Sequence, residues 1–446
     1  MQKFLQNLAQ FGDKLAIICN DKAYSYRWLT DRIAELRTEY DRAGIPDQAV
    51  TVLETDFSGD GIAAFFALAQ KQCIIVPLAS GHGSEKARLA AIAQAEFIIR
   101  TGNGTEPDSI DHAGTATHPH YGTLRERRNP GLVLFSSGST GDPKAVVHDL
   151  SLLAERFSQP RKPYRAIAFL LFDHIGGINT MLYLLASGGC LVVVPDRTPG
   201  TVLKAVESHQ VELLPASPTF LNMILAGESY KEYDLSSLKV ISYGSEPMAE
   251  NTLHKIHEIL PQVRLQQTYG LSEVGILSTK SKSSDSLWLK AGGEGYETKI
   301  IDDILYIRAQ TAMLGYLNAP SPFTEDGWFN TGDAVEVDGD YIRFLGRQDA
   351  QINVGGEKVS PPEVESVLEE MDEVQQAVVF GEKNPLTGAV VSARIVPAKK
   401  APSEPAALRR AVRQHCEARL ARYKVPVRIE IEATIQPTER FKKKRP

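Results

Sequence analysis

The sequence predicts an α/β protein: a large N-terminal domain of helix-covered β-sheets with a β-rich subdomain, followed by a small α+β C-terminal domain. Three observations predict it. Short Val/Ile-rich apolar runs alternate with longer amphipathic stretches, the pattern of parallel strands covered by helices. From residue 298 to 345 the texture changes to short strands punctuated by Gly and Asp turns. After residue 346 a separate run of helices and strands fills about 100 residues, a normal domain size.

The elements follow in order. Residues 26–43 and 61–70 read as helices. Residues 49–54 (AVTVLE), 73–79 (CIIVPLA), 95–100 (AEFIIR), 190–195 (CLVVVP), 211–215 (VELLP) and 238–243 (LKVISY) read as buried strands, too short and too rich in Val and Ile for helices. Beyond the change at residue 346, 361–371 reads as a helix with Pro near its start, a favoured place. Residues 374–380 and 390–396 read as strands, 406–423 as a helix and 427–431 as a last strand. The expected domains are 1–346 and 351–446, joined at 347–350.

Composition excludes several classes. The chain has 446 residues, 43% hydrophobic and 23% charged, which is ordinary for a globular protein and rules out collagen-like, disordered and small disulfide scaffolds. With 49 basic and 55 acidic side chains the net charge is −6, which offers no general attraction for nucleic acid or an anionic membrane. Cys19, Cys73, Cys190 and Cys416 are scattered without metal-ligand spacing and read as reduced thiols. The polar N-terminal stretch does not read as a signal peptide, and no apolar run reaches the roughly 18 residues of a membrane span. A soluble, cytoplasmic protein is expected.

The strongest local signal is 132–148, LVLFSSGSTGDPKAVVH. A strand runs into small residues and hydroxyls, with Lys144 close behind. Small residues let backbone approach an anion, and hydroxyls and N–H groups donate to phosphate oxygens. The spacing fits neither the Walker A pattern nor GxGxxG. By composition alone such a stretch is more often a surface turn.

Taken whole and in order, residues 136–148 resemble the nucleotide-binding signature of adenylate-forming enzymes. That superfamily includes acyl- and aryl-CoA ligases, nonribosomal-peptide adenylation domains and luciferases. Its other signatures follow: 267–273 (QTYGLSE), 327–333 (GWFNTGD), 346–363 (GRQDAQINVGGEKVSPPE) and 437–445 (PTERFKKKR), with an opening at 14–37 that is also similar. The pattern is closest to acyl-CoA ligases.

The resemblance implies a two-step reaction. A carboxylate attacks the α-phosphate of ATP, giving an acyl-adenylate and pyrophosphate; a thiol of CoA, or of a carrier-protein phosphopantetheine, then takes the acyl group. It implies that Ser137, Gly138, Thr140 and Lys144 cradle phosphate and that Glu273, with Thr140, serves Mg²⁺. Gly244, Ser245, Glu246, Tyr269 and Gly270 would border the adenine, with Ser272 keeping a phosphate contact. Asp333 and Arg347 would hold ribose. Asp349 would be the hinge of a mobile C-terminal domain, and Gly355 and Gly356 would approach the thiol path. Lys442 would be the adenylating lysine, although Phe441 replaces the family's Gly and the register leaves Lys443 and Lys444 as alternatives.

Residues 169–182, FLLFDHIGGINTML, fall at the acyl pocket in two registers. One matches His174, Gly177 and Asn179 to the acyl- and aryl-CoA ligases. The other sets Asp173 as the ammonium-binding acid of amino-acid-activating domains. The first has more matches, so a carboxylic acid is expected over an amino acid, with His174 beside the reacting group and Ile178, Leu182 and Ile276 as apolar wall. The competing class is a nucleotide-binding protein without chemistry.

Overall fold

The computed structural model describes residues 1–101, 109–136, 143–159, 161–435, 438, 443 and 445. Two seven-stranded sheets form the N-terminal part. The first runs 264–267, 240–243, 213–216, 165–167, 190–193, 15–19 and 22–25 and is parallel except for the last hairpin. The second runs 315–316, 144–149, 131–136, 74–78, 50–54, 97–100 and 109–112, with a parallel centre and antiparallel edges.

Strand alternation explains how the sheets stack. Ile17 and Leu191 face one core while Ile18 and Val192 face another. In the second sheet Leu53, Ile75, Leu132 and Leu134 join that same first core, whereas Val52, Val76, Val133 and Phe135 face a third. Both faces are therefore covered, which is why these strands read as continuous apolar runs.

Helices fill the layer between the sheets. Tyr26–Arg42 starts where the Ser25 hydroxyl accepts from Trp28 N–H, and it buries Leu29, Ile33, Leu36 and Tyr40 at helical spacing. Gly59–Gln70 is buried along nearly its whole length, matching its GIAAFFALA texture. Ile175–Ala186 lies in the same layer.

A six-stranded antiparallel sheet follows, ending with Phe329–Asp338 paired to Tyr341–Arg347. Ile352–Val354 already belongs to a five-stranded sheet with its own core, built on Val364, Leu368, Val379, Ile395, Leu408 and Val412. The switch between sheets falls within the segment 348–351. Among the described residues no helix is long and apolar enough to cross a membrane.

Candidate active site

A cleft of about 850 Å³ runs along one face of three neighbouring parallel strands, Leu213–Ala216, Val240–Tyr243 and Arg264–Gln267, and past their carboxyl ends. That is where open α/β sheets place ligands. Pro215, Ala216, Gly244, Ser245 and Thr268 line this floor. Gly244 is required there: a Cβ on it would stand 2.5 Å from the Thr268 carbonyl oxygen. Ser245 follows with φ 70°, a left-handed turn that presents backbone to the cleft.

At one end, Ser136 and Lys144 line the cleft on either side of the glycine-rich stretch. Their strands pair Ser136 directly with Lys144, so both feet of the loop are fixed. Asn318 adds a second clamp: its Nδ2 donates to Pro143 O at 2.8 Å and its Oδ1 accepts from Ala145 N–H at 2.9 Å. Ser137, Gly138 and Thr140 lie outside the described residues.

Glu273 faces this end, with Oε1 accepting from the Tyr316 hydroxyl at 2.7 Å. Burial, then the Glu273 charge, pushes the Tyr316 phenol well above its ordinary value, so it stays a donor. Lys144 Nζ sits 5.4 Å over the Tyr316 ring. Tyr316 is on a two-residue edge strand, and nothing in the local pattern marks it; Asn318 was equally invisible. Ser272 is placed from behind by His148, whose Nε2 donates to the Ser272 carbonyl at 2.6 Å.

Beside Gly270 on the cleft, the Tyr269 ring stacks on Phe344 with centroids 4.2 Å apart. Its hydroxyl donates to Asp333 Oδ2 at 2.6 Å. Burial and the Asp333 carboxylate raise the Tyr269 phenol far above its usual value. Arg347 pairs opposite Asp333 across the hairpin, with Nε 3.8 Å from Oδ1, and donates to Thr331 O and Asp349 Oδ1. Gly270, Arg347 and Asp349 line the cleft.

The other end is bordered by the helix Ile175–Ala186. His174 caps it: Nδ1 accepts from Gly176 N–H at 3.1 Å, so the proton of the neutral ring sits on Nε2. Ile175, Gly176, Asn179, Thr180 and Tyr183 form the stripe facing the cleft, with Ile276 across from it. Three expectations need correction. Ile178 and Leu182 are on the opposite face, in the core between the sheets. Gly177 is not on the wall either; it permits close packing, since a Cβ there would lie 2.0 Å from Leu171 O. Asp173 is buried behind the cleft, accepting from Ala79 N–H at 3.4 Å with His82 Nε2 at 2.6 Å.

The model of the AMP-binding enzyme family matches residues 4–317, and that of its C-terminal domain matches residues 363–442. The chain belongs to the AMP-binding enzyme family. An indoleacetate–CoA ligase of Aromatoleum aromaticum is 29% identical over 67% of this chain, which spans 62% of that relative, less than two thirds of its length. A feruloyl-CoA synthase of an Amycolatopsis species is 27% identical over 93% of this chain and 91% of the relative. In fold, the chain is similar to an anthranilate CoA ligase in complex with anthranoyl-AMP, with a TM-score of 0.83 at 21% identity over 99% of this chain and 94% of the other.

In the C-terminal domain of this AMP-binding enzyme the residues fall differently from the expectation, and none of its described residues lines the cleft. Lys442 lies outside the described residues. Lys443 is held in an ion-pair nest, with Nζ 3.1 Å from Glu365 Oε2 and 2.8 Å from Glu369 Oε1. Burial is the largest single effect and lowers its pKa, but Glu365, Glu369 and Glu246 together outweigh it, so the ammonium titrates above its ordinary value. Its backbone N–H donates to Glu246 Oε2, while Glu246 Oε1 accepts from Thr219 N–H. Glu246 therefore joins chain segments beside the cleft instead of lining it, and desolvation raises its pKa. Gly355 and Gly356 form the exposed turn of the hairpin Ile352–Val354 to Glu357–Val359 and are not part of the cleft wall. In this orientation the domain turns the helix Pro361–Glu369 toward the large domain, through Asn222 and Asn251 on Glu369.

Proposed function

We propose that this AMP-binding enzyme activates a carboxylic acid with ATP, releasing pyrophosphate and forming an acyl-adenylate, and passes the acyl group to the thiol of CoA. The carrying observation is one continuous cleft lined both by Ser136, Lys144 and Glu273 and by His174, Asn179, Thr180 and Ile276. The reaction brings an anion to a polyanion, so the residues act mainly by positioning and charge. Lys144 and the loop it flanks meet phosphate, Asp333 accepts from ribose hydroxyls, Tyr269 walls the base and His174 Nε2–H orients the attacking carboxylate.

Glu273 suits Mg²⁺ as a hard oxygen ligand. Among the described residues no three acidic, His or Cys groups converge to hold a metal, so a cation at Glu273 would draw its other ligands from phosphate and water, as Mg²⁺ commonly does. When bound it supplies charge neutralisation between the phosphates.

The buried pairing of Asp173 with His82 supports a simple carboxylic acid over an amino acid, because the acid needed for an ammonium group is not presented to the cleft. A carrier-protein pantetheine is the alternative acceptor. We take 1–346 and 351–446 as the two domains with 347–350 as hinge, Asp349 at its centre. Lys442 is the adenylating lysine in this reading, because Lys443 is committed to Glu365 and Glu369. Four buried, free thiols support a cytoplasmic setting.

The test is acid-dependent ATP–pyrophosphate exchange across fatty, aryl, dicarboxylic and amino acids, with Lys442→Ala alongside. Exchange with a non-amino acid that is lost in the variant supports the reading. No exchange with any acid refutes it.

A further inference from the structure

We propose that the acid activated here carries a second anionic group several carbons from the first, held by an arginine cluster at the far end of the acyl cleft; this rests on the ligase reading above. Arg156, Arg161 and Arg264 all line the cleft. They gather around one aromatic pair. The Phe157 and Tyr183 rings are 6.2 Å apart, and the Arg156 and Arg161 guanidinium carbons lie 5.9 and 5.4 Å from the Phe157 ring centroid. Arg161 Nη2 donates to Arg156 O at 3.4 Å. Arg161 and Arg264 both act electrostatically on the Tyr183 phenol.

The charge of the cleft is one-sided. Its only described carboxylates are Glu273 and Asp349, both at the nucleotide end. Around the cluster the other polar liners, Thr180, Gln266, Ser278 and Thr279, are uncharged. Among the described residues no carboxylate forms an ion pair with any of the three arginines. Burial is the largest effect on Arg156 and lowers its pKa; Arg161 lowers it further, against Tyr296. For the half-buried Arg156, a second guanidinium close by and no paired carboxylate are unfavourable unless an anion completes the site. Guanidinium groups supported on aromatic faces suit a carboxylate, which they bind through paired N–H donors.

The helix supplies a ruler. Tyr183 is nine residues beyond His174, about 13 Å along the helix axis. A carboxylate being activated near His174 and a second one at the arginines are thus separated by a chain or ring of intermediate length. A short diacid would not reach, and an uncharged acyl tail would leave the cluster unpaired.

Exchange of ATP with pyrophosphate, without CoA, is the assay. It compares straight-chain monocarboxylates with α,ω-dicarboxylates of matched length, from three carbons to twelve. The expected result is highest kcat/KM for dicarboxylates of intermediate length. In Arg161→Ala and Arg264→Ala, both exposed positions where folding is not at stake, the ratio of kcat/KM for diacid over matched monoacid should fall about 10- to 100-fold, the scale of losing a hydrogen bond to a charged group. Arg264→Lys should restore part of it. Monocarboxylates equal to or better than diacids would overturn this inference and leave the ligase reading standing. An arginine effect seen only on the KM of CoA in the thioester step would assign the cluster to acceptor phosphate and overturn it too. Absence of exchange with every acid would overturn the ligase reading, and this one with it.

Discussion

His148 gives a pH-dependence that can be worked through from the structure. The side chain is buried, and its Nε2–H donates to the carbonyl of Ser272, next to Glu273 on the cleft. Protonating the ring would put a charge into these surroundings, and burial lowers its pKa from 6.5 to about 4. The unfolded chain therefore binds this proton at higher pH than the folded one. Stability from this group is fully present above about pH 6.5 and is lost as pH falls toward 4. The difference corresponds to roughly 3 kcal/mol. The measurement is the urea midpoint of the wild type and of His148→Gln, from pH 7.5 to 4.5. The wild type should lose stability across this window more steeply than the variant, whose side chain does not titrate. Both proteins carry the same carboxylates, so the difference between the two curves reports His148 alone. Parallel curves would refute the argument that the ring is neutral and buried in the native state.

Three further outcomes are expected. Tyr269→Phe keeps the ring on Phe344 but removes the donor 2.6 Å from Asp333 Oδ2, so it should raise the KM for ATP about 10-fold or more and cost roughly 1.5–3 kcal/mol in chemical denaturation. Lys443→Met leaves Glu369 buried without its cation and Glu365 with Arg445 alone, and should destabilise the C-terminal domain by about 3 kcal/mol, read as a lower unfolding midpoint and faster proteolysis of that domain. Gly244→Ala should weaken nucleotide binding, measured by calorimetry with ATP, because the new Cβ meets the Thr268 carbonyl and must push the floor of the cleft.

Much of the fold was legible because the burial pattern is simple. Strands such as Ile74–Leu78 are covered on both faces and read as unbroken apolar runs. The helix Tyr26–Arg42 shows one apolar stripe because only one face is buried. The acyl wall was less legible for the converse reason. Ile175–Ala186 is apolar nearly all round, so its hydrophobic residues do not say which side faces a cavity. Its few polar positions do: Asn179, Thr180 and Tyr183 fall on the cleft, while Ile178 and Leu182 fall on the core. Tyr316 and the Arg156, Arg161 and Arg264 group were out of reach. They come from separate elements: Tyr316 from an edge strand of the second sheet, Arg156 and Arg161 from the segment after the helix Leu150–Glu155, and Arg264 from the edge strand of the first sheet, so only the tertiary fold brings them to one cleft.

The contacts between the two ends of the chain also bear on how one cleft would serve the two proposed chemical steps. The large domain meets the helix Pro361–Glu369 through side-chain amides: Asn222 Nδ2 donates to Glu369 Oε2 and Asn251 Nδ2 to Glu369 O. Glu246 reaches the tail through one backbone N–H of Lys443. Polar contacts of this kind can be exchanged for water at small net cost, unlike an apolar interface of the same size. The apolar side chains of the C-terminal domain are instead spent on its own core, so it keeps its shape when undocked. Between the two lies a segment that leaves one sheet at Arg347 and enters another at Ile352. A self-contained domain, a polar seam and a short linker are what a swivel requires. Under the proposed function, a rotation about 347–350 is the motion that would carry the exposed turn at Gly355 and Gly356 to the cleft for thiol attack.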